Sequence, residues 1–74
     1  MGKYPISVAS SLTGVQEHKL RAFEVAELIG PSRTQGGTRL FSDEELELIR
    51  RIAGLVDKGI NYAGIREILE MVAT

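Results

Sequence analysis

The chain has 74 residues, 43% of them hydrophobic and 26% charged, with nine Lys and Arg against ten Asp and Glu for a formal charge of -1 at pH 7. That length reads as one domain, near the lower limit at which an apolar core holds without staples, so the chain either packs efficiently or is a piece of something larger. The absence of cysteine excludes disulfides and thiolate chemistry. No apolar run reaches the roughly 18 residues of a membrane span, and the opening residues do not read as a secretory leader, so a reducing cytoplasm is the expected place.

Residues 1–5 read as a lead-in, with Tyr4 and Ile6 placed to cap a core. Ser7 is expected to N-cap a helix of about two turns. Val8, Ala9 and Leu12 are spaced to bury one face of it. Thr13 and Gly14 then break the helix. The small residues Ala9 and Ser10 suit the close approach of a second helix, and they equally suit plain helix filling. A second helix is predicted over residues 16–27, with Leu20 and Phe23 facing the core beside Val15 and Ala26. That arrangement leaves Glu17, His18, Lys19 and Arg21 near its amino-terminal end. In a helix-turn-helix this is the end that enters a major groove, although many ordinary surface helices carry the same pattern.

Gly30 and Pro31 end any helix there, because proline cannot continue it. Residues 32–35 and 38–41 flank Gly36 and Gly37, a pair suited to a two-residue hairpin turn at positive φ. Arg33 and Arg39 would stand on neighbouring strands, where two guanidinium groups repel unless an anion lies between or beside them. Phosphate would serve; the other reading is a solvent-facing ribbon that carries Thr38 and Arg39 on its surface by default.

Ser42 followed by Glu45 forms a capping box for a helix over residues 42–58, with Asp43 and Glu44 complementing the helix dipole. Leu46, Ile49, Ala53 and Val56 are its predicted core face. Gly59 is placed to stop that helix in the left-handed region, and Asn61 to cap a last helix over residues 62–72. Its expected stripe is Ile65, Ile68, Leu69 and Val72, with Gly64 marking a close helix crossing. The acidic residues sit where dipole compensation puts them, and no nucleophile, base or metal-ligand set accompanies them. Neither an enzyme, nor a metal site, nor a cofactor is therefore expected. The charge total hides an asymmetry: through Phe41 the cations Lys3, Lys19, Arg21, Arg33 and Arg39 outnumber Glu17, Glu24 and Glu27, and from Ser42 onward acids outnumber bases.

Taken in order, Thr13-Gly14-Val15, Leu20-Arg21-Ala22-Phe23-Glu24, Leu28-Ile29-Gly30-Pro31-Ser32-Arg33 and Gly37-Thr38-Arg39-Leu40-Phe41-Ser42 resemble the DNA-binding domain of MerR-family transcription regulators, and the resemblance covers essentially the whole chain. It implies a mostly α fold, a winged helix-turn-helix with four helices and a short two-stranded β wing. Residues 1–74 would form one domain, with 1–41 as helix-turn-helix and wing and 42–74 as a supporting helix pair. Ile6-Ser7-Val8-Ala9 and Gly59-Ile60-Asn61-Tyr62-Ala63-Gly64-Ile65 are similar to segments of the heat-shock repressor branch, the HspR type. The glutamine-synthesis regulators carry a similar second segment, so both branches stay open.

Carried over by position, the resemblance implies that Gln16, Glu17, His18 and Lys19 face base edges and that Arg21 meets the backbone or a guanine. Arg39 would grip the backbone or minor groove from the wing, with Arg33 and Thr38 beside it. The implied partner is a double-stranded DNA operator bound by a homo-oligomer, a twofold dimer on an inverted repeat whose deformation is part of the readout. Three departures stand out. Ala22 replaces a tyrosine that reaches phosphate, Glu27 replaces a glycine at the end of the recognition helix, and the long dimerisation helix of the family is not seen in these residues, so the chain is expected to be either a cut DNA-binding domain or one of the short regulators that manage without that helix. Two other functions fit the same residues: an architectural, excisionase-like DNA-binding protein, and a protein-interaction module that leaves DNA alone.

Overall fold

The computed structural model describes residues 2–73; Met1, first residue of the expected lead-in, and Thr74 lie outside the described residues. The chain runs α1 (Ile6–Thr13), α2 (Glu17–Val25), β1 (Ser32–Arg33), β2 (Arg39–Leu40), α3 (Asp43–Asp57) and α4 (Tyr62–Ala73). β1 and β2 pair antiparallel, so the expected four helices and two-stranded wing are both present.

α1 begins earlier than expected. Pro5, at φ -62 and ψ 163, occupies the N-cap without a side-chain cap, and Ser7 lies inside the first turn. Proline already has the φ the chain needs there and no N–H to satisfy, so no hydroxyl cap is required. The expected apolar face is also corrected. Ala9 is fully buried, but Val8 and Leu12 are 40% and 48% exposed. Both fall on one flank of Ala9, and the close approach that alanine permits leaves that flank uncovered. Arg50 on α3 donates to the Leu12 carbonyl at 3.1 Å, a cation at the helix end whose carbonyls lack partners.

α2 buries Leu20 and Phe23 completely or nearly so, with Val15 beside them. The Phe23 ring meets Tyr62 of α4 edge-on, 5.7 Å between centroids. The helix ends at Val25, two residues short of the expected end, because Glu27 turns left-handed at φ 60. Leu28 N–H then donates to the Phe23 carbonyl at 2.9 Å, closing the terminus and delivering Leu28 and Ile29 into the core. Glu27 thus keeps the backbone course that a glycine would have given.

The lead-in is more than a cap. Tyr4 and Phe41 exchange two backbone hydrogen bonds of 2.8 Å, adding a one-residue bridge beside the wing. Tyr4 also donates its hydroxyl to Asp43 at 2.8 Å. That hydrogen bond raises the Tyr4 phenol above its ordinary value and holds the Asp43 carboxyl below its own.

α3 carries the full capping box: Glu45 N–H donates to Ser42 Oγ at 3.2 Å and Ser42 N–H donates to Glu45 Oε1 at 3.1 Å. It buries Leu46, Ile49 and Ile52. Gly59, at φ 85, ends it as expected, and Asn61 caps α4 by accepting from Gly64 N–H at 2.8 Å. Gly64 marks no helix crossing. A Cβ there would come within 3.0 Å of Ile60 and 3.3 Å of Asn61, so the crowding is local to the cap. Only the first part of the expected α4 stripe is covered, because Ile65 is buried while Val72 is 62% exposed.

Candidate nucleic-acid interface

The turn between α1 and α2 is shaped by hydroxyls. Thr13 Oγ1 donates to the Ala9 carbonyl at 2.8 Å and accepts from Val15 N–H at 3.2 Å, and Ser10 Oγ donates to the Val15 carbonyl at 2.6 Å. Gly14, at φ 75, supplies the one left-handed residue the reversal needs. Ser10 is therefore more than a helix filler. These bonds set the direction in which the amino-terminal end of α2 projects.

At that end Gln16 is the N-cap residue and its side chain makes no capping bond. Gln16, His18, Lys19 and Arg21 are exposed. Glu17 is half-buried and accepts from Arg21 at 3.2 Å, so Arg21 is partly compensated within its own helix. His18 and Lys19 make no side-chain hydrogen bond among the described residues, which leaves both free at the helix end. Val25 lies seven residues after His18 on nearly the same face and is 84% exposed, an apolar position that the sequence pattern had not singled out.

The wing differs from expectation in its turn. Gly37 N–H donates to the Thr34 carbonyl and Thr34 N–H to the Thr38 carbonyl, both at 2.9 Å, so residues 35–37 form a three-residue loop. Gly37 alone of the glycine pair has positive φ, at 88. Thr34 explains the shift, since its Oγ1 also accepts from Thr38 N–H at 3.1 Å and closes the longer loop. Thr38 is exposed at its edge.

Arg33 and Arg39 face each other directly across the ladder. The anion between them is a carboxylate of the protein itself. Glu24, on the last turn of α2, accepts from Arg39 Nε at 2.6 Å and from Arg33 Nη2 at 3.2 Å. No phosphate is needed to relieve their repulsion, which corrects the sequence-based argument. The hydrogen bond from Arg39 holds the Glu24 carboxyl below its ordinary value, with both guanidinium charges assisting. Arg33 Nη1 also donates to the Gly37 carbonyl at 2.8 Å. Lys3 reaches Ser32 Oγ at 3.4 Å and adds a cation at the base of the wing.

The structure thus ties the wing residues Arg33 and Arg39 to α2 through Glu24, and leaves Gln16, His18 and Lys19 at the opposite end of that helix. Glu24 and Lys3 escaped the sequence reasoning as site residues. Glu24 stands nine and fifteen residues from its partners, and no local pattern links positions so far apart. Among the described residues no group of three or more His, Cys, Asp or Glu is placed to hold a metal ion, and no helix is long and apolar enough to cross a membrane.

Residues 4–72 match the family model described as MerR HTH family regulatory protein. The chain is 42% identical over 69 residues to the putative heat shock protein HspR of Streptomyces coelicolor, covering 92% of this chain and 46% of that protein. It is 37% identical over 68 residues to the HTH-type transcriptional regulator GlnR of Bacillus anthracis, covering 92% of this chain and 53% of that one. The chain therefore spans about half the length of these relatives. Among solved structures it resembles HiNmlR, a MerR-family regulator lacking the sensor domain and solved bound to promoter DNA, with a TM-score of 0.88 at 22% identity, covering 96% of this chain and 55% of that one. It also resembles a MerR-family transcriptional regulator from Bacillus cereus, with a TM-score of 0.81 at 26% identity over 90% of this chain and 51% of that one. With the family model matching nearly its whole length, this chain belongs to the MerR helix-turn-helix family of regulatory proteins.

Proposed function

We propose that residues 1–74 act as one unit, the DNA-reading domain of a bacterial transcription regulator working at the nucleoid in the cytoplasm. α2 enters the major groove by its amino-terminal end, where Gln16, Glu17, His18 and Lys19 meet base edges and Arg21 meets the backbone. The wing lies on the flanking backbone through Arg39, with Arg33 and Thr38 beside it. Two copies bind an inverted repeat. The observation that carries this reading is the match of residues 4–72 to the MerR regulatory family, and the bonds that Arg33 and Arg39 donate to Glu24, which fasten the wing to α2, support it. Identity is higher to the HspR protein, 42%, than to GlnR, 37%, and supports a stress-response repressor as the more specific reading.

The test is the affinity for labelled duplexes across a range of salt. Arg39→Ala is expected to weaken binding to every sequence and to flatten the dependence on salt, because a phosphate contact releases counterions whatever the base. Changes at Gln16 or His18 are expected to alter base preference more than overall affinity. An Arg39→Ala protein with an unchanged salt dependence removes the wing from the interface.

A further inference from the structure

The two wing arginines are not equivalent. Arg39 is held at Nε by the short bond to Glu24, and its Nη1 and Nη2 groups make no hydrogen bond among the described residues. Its end-on edge, the pair of parallel donors that matches two oxygens of a phosphate, is therefore free. Arg33 has that same edge consumed, because Nη2 is on Glu24 and Nη1 is on the Gly37 carbonyl at the loop tip. Arg33 ties the tip of the wing to α2, and Arg39, the less exposed of the two at 26% against 45%, lies beside that tie with its Nη groups unbonded among the described residues.

We infer that Glu24 is the positioning residue of the wing: it presents the Nη1–Nη2 edge of Arg39 to a single backbone phosphate and occupies Arg33 as a brace. This rests on the DNA-reading function proposed above. The wing then neutralises one phosphate per subunit, although it carries two arginines. Releasing Arg33 from Glu24 adds a second, unguided phosphate contact. Affinity for any duplex then gains a salt-dependent component that carries no sequence information.

Four proteins separate these roles: the wild type, Arg39→Gln, Arg33→Gln and Glu24→Gln. The measured quantity is the slope of log affinity against log salt on one duplex, with thermal melts of the same samples to report folding. Each phosphate contact contributes about 0.9 to that slope on B-DNA. Arg39→Gln is expected to flatten it by about 0.9 per bound subunit, about 1.8 for two copies on an inverted repeat, Arg33→Gln to leave it unchanged, and Glu24→Gln to steepen it by up to the same amount. Arg39→Lys, which keeps the charge but lacks Nε, is expected to restore the slope without restoring affinity.

Equal flattening by Arg33→Gln and Arg39→Gln overturns the proposal. So does a Glu24→Gln protein that melts lower with an unchanged slope, because that result leaves Glu24 a structural role only. The two arginine variants carry the test even where Glu24→Gln does not fold. Failure of the slopes in a protein that retains duplex with a salt dependence sinks the Glu24 assignment alone. A wild type that retains no duplex at low salt sinks the DNA reading together with it.

Discussion

Replacing Glu27 by glycine should make this domain more stable. Glu27 is the only non-glycine residue at positive φ among the described residues, at φ 60, and it sits just past the end of α2, where glycine is the usual occupant. Holding an L-residue in the left-handed region costs about 1–2 kcal/mol from the clash of Cβ with the neighbouring carbonyl. Glycine removes that cost but loses more chain entropy on folding, about 0.4–1 kcal/mol. The difference centres on about 0.8 kcal/mol in favour of Glu27→Gly, within limits of about 0 and 1.6 kcal/mol, a rise in Tm of roughly 3–6 °C for a domain this small. The exposed Glu27 carboxylate makes no ion pair among the described residues, so little opposes the gain. Thermal unfolding followed by circular dichroism reads the effect directly. Glu27→Ala is the control, since alanine keeps the Cβ that causes the strain and removes only the exposed remainder of the side chain, and its Tm should stay close to the wild type. A Glu27→Gly protein that melts at or below Glu27→Ala would refute the assignment of strain to this residue.

Ser42→Ala removes the bond from Glu45 N–H to Ser42 Oγ, leaves the backbone N–H of residue 42 donating to Glu45, and is expected to cost about 1 kcal/mol in urea unfolding at neutral pH. Glu24 adds a pH dependence. Its carboxyl is held below its ordinary value in the folded state, so its contribution is fully present above that value and is lost as pH falls through the lowered one. Urea midpoints taken between about pH 7 and pH 3 should therefore fall less for Glu24→Gln than for the wild type; parallel curves would mean that the Glu24 ion pairs do not contribute in solution.

Local chemistry was readable from the sequence wherever one short stretch contains both partners of an interaction. Ser42 and Glu45, Gly59, and Asn61 with Gly64 are all such cases, and so are Leu20 and Phe23, whose spacing alone puts them on one face of α2. Periodicity said less about Val8, Leu12 and Val72, because a repeat defines a face without saying whether anything covers it. The wing turn was misplaced because Thr34 supplies both a carbonyl and a hydroxyl, favouring a longer loop than Gly36 and Gly37 alone would make. The largest omission was Glu24. The repulsion between Arg33 and Arg39 was correctly anticipated, but the anion that resolves it comes from another element, and only the fold brings it there.

Glu24 relieves the repulsion between the wing arginines without phosphate, yet it leaves the Nη1–Nη2 edge of Arg39 unbonded among the described residues. A wing fastened to α2 in this way presents its cation on the same piece as the side chains proposed to face the bases. The most direct test is selection of bound duplexes from a random pool by this protein at low and at physiological salt, with sequencing of what is retained. The expected result is enrichment of inverted half-sites whose retention falls steeply with salt. Absence of any enriched site, together with no salt-dependent retention of any duplex, would contradict the account and leave the exposed face of α2 and the wing to a protein partner.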